Sequence, residues 1–174
     1  MTSVKNGTII KLMKNLLLFL LAPLKEKTAF AHCDIPCGIY DPHNAQLAAH
    51  TVIRMTQMLE EIKGSDKKAM HDVARITHVK EEHSSLIEEE LMTLKNDYFK
   101  KEVVEKMEEE PWTLFKKALA ASAKARQGID MESAKETLET VMQIAEMFYK
   151  SKGLKSVRVK APYPTGLDIV VQKA

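Results

Sequence analysis

Residues 130–153 read DMESAKETLETVMQIAEMFYKSKG, and this stretch decides the fold class. Asp130 offers a side-chain cap and Gly153 a stop. Between them Ala134, Leu138, Val141, Ile144, Ala145 and Phe148 recur at steps of three and four. The spacing predicts one amphipathic helix whose apolar stripe is too wide for solvent and needs partner helices. Three upstream stretches follow the same rule. Asp41 and Pro42 open a helix with Leu47, Ala48, Thr51, Met55, Met58, Leu59 and Ile62 inward and Gly64 at its end. The next runs from near Ser65 or Asp66 to about Asn96, with Val73, Ile76, Val79, His83, Leu86, Ile87, Leu91 and Leu94 inward. A loop with Asp97, Tyr98, Phe99 and Lys100 follows. Pro111 then starts a helix carrying Trp112, Phe115, Leu119 and Ser122 on one side, with Gly128 as its stop. Four such helices joined by short links predict an all-α, antiparallel four-helix bundle.

Downstream of the bundle the pattern changes. Val157 and Val159 alternate with charged residues, Pro162 to Gly166 is a turn signal, and Leu167 to Val171 suits a short strand. Either a hairpin or an arm lying along a neighbouring subunit fits. Over the whole chain 26 Lys and Arg nearly cancel 24 Asp and Glu, leaving +2. No large basic field exists to hold a phosphate backbone, so nucleic-acid binding has no support. The Met residues in the stripes read as core filler rather than ligands.

Residues 1–31 differ from the rest. Lys5, Lys11 and Lys14 precede the apolar run Leu16 to Ala22, and Ala29-Phe30-Ala31 stands directly before His32. A basic start, a short apolar stretch and an A-x-A site make a signal-peptide pattern, with cleavage at Ala31–His32. An amphipathic leader that stays attached is the other reading. The organisation expected is a removable leader at 1–31, a metal-binding hook at 32–42, the bundle at 43–153 and a C-terminal extension at 154–174.

The hook is His32-Cys33-Asp34-Ile35-Pro36-Cys37-Gly38-Ile39-Tyr40-Asp41-Pro42, and it holds both cysteines of the chain. If Ala31–His32 is cut, His32 supplies a free α-amine and an imidazole. Cys33 supplies a thiolate and an ionisable amide nitrogen, and Cys37 a second thiolate. Pro36 and Gly38 permit the turn that returns Cys37. Two nitrogens and two sulfurs in a plane favour Ni(II) or Cu(II), whereas Zn(II) prefers a tetrahedron. From spacing alone an exposed cysteine pair or a local disulfide fits as well, because C-x-x-x-C is weak. A zinc site finds no support in His43, His50, His71, His78 or His83, which form no tight pair with the hook.

The eleven-residue string resembles the nickel-binding hook of the nickel superoxide dismutases, matching H-C-D-x-P-C-G-x-Y-D-P at every specified position. The resemblance continues through Val79 to His83, Asp97 to Lys100 and Met147 to Gly153, so it spans His32 to about Gly153. It implies a small four-helix-bundle homohexamer made with a leader that a protease removes. It further implies nickel held by His32, Cys33 and Cys37, and superoxide converted to oxygen and hydrogen peroxide. Tyr40 and Tyr98 would stand beside the open axial face, with Asp34 and Lys100 in the surrounding hydrogen bonds.

Three positions depart from the family. A Glu that supports the ligand imidazole in some members is Ala48 here, and an Arg that shares the role is His83. A Trp two residues before the D-Y-F-K loop is Lys95. His83 is therefore a candidate support for the axial histidine, although a lone histidine on an inner helix face is more often a satisfied core residue. Rival functions are a nickel or copper carrier without turnover, a thiol redox protein and a purely structural bundle. The leader favours export to the periplasm or beyond, with a propeptide trimmed in the cytoplasm as the alternative.

Overall fold

The computed structural model describes residues 37–174, so His32, Cys33 and Asp34 lie outside the described residues. Its elements are α1 (His43–Glu61), α2 (Lys67–Thr93), a π-helical turn (Leu94–Tyr98), α3 (Lys101–Val104), α4 (Trp112–Gln127), α5 (Met131–Ser151), β1 (Ser156–Lys160) and β2 (Asp168–Gln172). The helix α1 packs on α2 and α5, while α4 packs on α5 and α2, closing a four-helix bundle. None of the described helices is long and apolar enough to cross a membrane.

Local chemistry sets the helix ends. The Asp66 carboxylate accepts from Ala69 N–H at 2.7 Å, and Asp130 from the N–H groups of Glu132 and Ser133 at 3.0 and 3.1 Å. At the end of α5, Leu154 N–H bonds to Tyr149 O and Gly153 N–H to Lys150 O, both at 2.9 Å. Gly153 takes φ +70°, which completes a Schellman stop.

Ile53, Ile87, Leu91, Leu94, Phe99, Phe115, Leu138, Val141, Ile144 and Phe148 fill the core. Each contributes about 1.5–3 kcal/mol by leaving water. The expected inner face of α5 is buried throughout, but that of α1 is displaced. The helix α1 buries Ala45, Gln46, Ala48, Ala49, His50, Val52, Ile53, Thr56 and Leu59, whereas Leu47, Thr51, Met55, Met58 and Ile62 remain partly exposed. Its small and β-branched arc lies under α2, α5 and β2 together, a choice that periodicity alone does not make. On α2, Val73 and Leu86 are exposed and Lys80 is buried. The Lys80 Nζ donates to the carbonyls of Ala125 (2.6 Å), Arg126 (3.1 Å) and Gly128, supplying the donors that the end of α4 lacks. Trp112 is exposed, and Ala118 and Ala121 take the inner face of α4 instead of Leu119.

The tail forms an antiparallel hairpin on this chain's own bundle, with Val157 opposite Val171 and Val159 opposite Ile169. The Gln46 amide acts as a one-residue strand. Its Nε2 donates to Val170 O at 3.0 Å, and its Oε1 accepts from Val170 N–H at 2.7 Å. Arg158 reaches back to Glu139 and Glu146 of α5. The His50 Nε2–H donates to Asp168 O at 3.2 Å, so its Nδ1 accepts from the Thr165 hydroxyl at 2.6 Å.

Candidate metal centre

The described chain begins at Cys37, whose side chain is exposed and whose Sγ accepts from Ile39 N–H at 3.4 Å. Such an N–H···S bond favours the thiolate, the form that ligates metals. Gly38 between them has φ +72°, a conformation that strains any residue with a Cβ. Asp41 then fastens the segment to α1, its Oδ1 accepting from His43 N–H at 2.7 Å. Pro42 is buried. The Tyr149 hydroxyl has its pKa pushed up, first by burial and then by the Asp41 charge.

The Tyr40 ring packs at 5.5 Å and a tilt of 53° against Tyr98, the last residue of the π-helical turn. Phe99 N–H bonds to Leu94 O at 2.8 Å, five residues back. One added residue per turn rotates the helix end by about 100°. Tyr98 then lies 4.7 Å from the Phe148 ring and 4.9 Å from the Phe99 ring, and Phe99 is in the core. Its hydroxyl is 2.7 Å from the Ser151 Oγ, and the Lys152 Nζ sits 5.5 Å above its ring. Lys100 follows at once, exposed, with its N–H on Tyr98 O at 2.8 Å and its own carbonyl accepting from Val103 and Val104.

Cys37 and the Tyr40–Tyr98 pair therefore belong to one end of the bundle. His83 does not join them. It lies fifteen residues before Tyr98, about 22 Å along a helix. Its Nδ1–H is held by Val79 O at 2.9 Å. With Ala48, Leu47 and Leu86 it lines a groove between α1 and α2 roofed by Tyr163 to Thr165. The two departures from the family, Ala48 and His83, thus share one wall. Lys95, the third, is partly buried in the π-helical turn.

Among the described residues no three His, Cys, Asp or Glu side chains gather to hold a metal. A donor set drawn from Cys37, a second thiolate and two main-chain nitrogens does not depend on such a cluster, and its two sulfurs and two nitrogens fit square-planar nickel. Residues 27–152 match the model of the nickel-containing superoxide dismutases. The chain belongs to the nickel-containing superoxide dismutase family.

The nickel superoxide dismutase of Streptomyces seoulensis is 34% identical over 122 residues, covering 70% of this chain and 88% of that protein. That of Streptomyces coelicolor is 33% identical over 125 residues, covering 72% and 91%. A native nickel superoxide dismutase structure superposes with a TM-score of 0.61 at 30% identity, over 70% of this chain and 99% of that one. An oxidised-state structure gives 0.62 at 31%, with the same coverage. The family match stops at Lys152, so the hairpin lies beyond the part shared with nickel superoxide dismutases. Sequence reasoning placed Met147 to Gly153 in the resemblance without giving Ser151 or Lys152 a role. Only packing of the π-helical turn against the end of α5 brings Ser151 to a tyrosine 53 residues away.

Proposed function

We propose that this chain, cut between Ala31 and His32, holds nickel through His32, Cys33 and Cys37 and converts two superoxide ions and two protons to oxygen and hydrogen peroxide. Nickel, when bound, supplies the one-electron Ni(III)/Ni(II) couple that serves both half-reactions. The single observation that carries the site is that Cys37 lies three residues before Tyr40, whose ring packs against Tyr98. The His32 α-amine, the Cys33 amide nitrogen and both thiolates make an anionic, electron-rich donor set that favours the higher oxidation state. The His32 imidazole would add a further donor. Tyr40 and Tyr98 would line the approach to the hook and admit a small diatomic. Lys100 and Lys152 place positive charge beside that pair and draw in the anion. Asp34 joins the hydrogen bonds around the hook, whereas His83, held by Val79 O on its groove with Ala48, is not brought to the Cys37 end and leaves the support of the His32 ring to other groups.

Leader removal is part of the chemistry. With Ala31 attached, the His32 nitrogen is an amide and one donor is lost, so a processing protease precedes metal loading. The basic and apolar leader supports export, and family membership supports a homohexamer. The test is superoxide decay by protein starting at His32 and loaded with stoichiometric nickel, against the metal-free protein. Nickel-dependent acceleration is expected. None at full loading sinks the dismutase and leaves a metal carrier.

A further inference from the structure

We infer that Ser151 is a positioning residue for Tyr98, setting the direction of its phenol proton. The inference deepens the proposed function and rests on Tyr98 walling the nickel centre. The argument starts at the end of α5. In the last helical turn Lys152 N–H turns to Tyr149 O at 3.1 Å, and the carbonyl of Phe148 is left without the donor four residues on. The Ser151 hydroxyl takes that place, donating to Phe148 O at 2.7 Å. A serine has one proton, and this bond uses it.

The Ser151 oxygen therefore meets Tyr98 with lone pairs only. Tyr98, at 2.7 Å, is the donor, and its single proton points into α5. Reversing the pair would strip the Phe148 carbonyl of its partner in a half-buried turn, at the cost of an unmet acceptor. The ring itself is held by Phe148 at 4.7 Å and by the Lys152 ammonium above its face. What remains for the Tyr40 side is the phenol oxygen as an acceptor. Tyr98 thus holds a water or the peroxide O–H by accepting from it. The protons that complete peroxide arrive by another route.

Tyrosine ultraviolet Raman spectra distinguish a donating hydroxyl from an accepting one through the ring doublet. The experiment uses nickel-free protein beginning at His32, and the difference from Tyr98→Phe isolates Tyr98. The wild-type difference should carry the donor pattern, Ser151→Ala should lose it, and Ser151→Thr should restore it. An acceptor pattern in the wild type overturns the inference with no Ser151 variant needed, as does an unchanged doublet in a folded Ser151→Ala. After nickel loading, Ser151→Ala should slow superoxide decay about tenfold and shift its pH profile, with Ser151→Thr close to wild type. A donor doublet lost in Ser151→Ala supports the inference even where loaded protein consumes no superoxide. That second result sinks the dismutase reading alone.

Discussion

Replacing Gln46 by Leu puts an apolar side chain of similar volume in α1 and removes both bonds to β2. Gln46 is fully buried and Val170 is 1% exposed, so water has no access to the peptide groups that lose their partners. Two groups are stranded, the Val170 N–H held at 2.7 Å and its C=O held at 3.0 Å. Each buried unmet group costs about 1–3 kcal/mol, which makes about 2–6 kcal/mol in all. The retained volume keeps the cavity contribution small. Against a total stability of about 5–15 kcal/mol this is a large fraction. With a urea slope of about 2 kcal/mol/M, the midpoint should fall by about 1–3 M. Urea unfolding at fixed protein concentration measures the loss, and amide exchange locates it. The Val170 amide should lose its protection selectively, because Gln46 and not β1 is its partner. A midpoint unchanged within error, with Val170 still protected, would show that the amide bridge contributes nothing and would refute the reasoning.

Four further outcomes are expected. Lys80→Met strips three carbonyls at the end of α4 of their donor and should cost about 2–4 kcal/mol in chemical unfolding. The pKa of His50 is lowered, first by burial, with the Asp168 carbonyl and charge opposing. The unfolded state then takes up the proton first. Stability is complete above the ordinary histidine pKa of about 6.5 and is lost as pH falls through the lower folded value, so melting curves should show an acid-side slope that His50→Gln lacks. Arg158→Met breaks two partly exposed ion pairs and should lower stability by about 1 kcal/mol or less, with the difference shrinking at high salt. Cys37→Ser should abolish nickel retention after desalting, whereas His32→Ala should retain some nickel and slow superoxide decay.

The sequence by itself determined what is local. Asp66, Asp130 and Gly153 mark helix ends because their partners lie within four residues. The stripe of α5 emerged whole because that helix is covered along its full length. The expectation of nickel was read from eleven contiguous residues, and membership of a nickel-containing family bears out the nickel. Tertiary structure decided everything that depends on a partner far along the chain. Which arc of α1 is buried follows from α2, α5 and β2 competing for it, so Leu47 and Met55 stay at a groove while Gln46 and His50 go inside. Lys80 reads as a solvent residue until packing brings it to three carbonyls about 45 positions away. The direction of the Tyr98 proton was likewise invisible, since it is set by one unmatched carbonyl at the end of a helix that only packing places beside it. Hydrogen bonds closed within a turn are written in residue order, whereas those closed across a bundle exist only after it has packed.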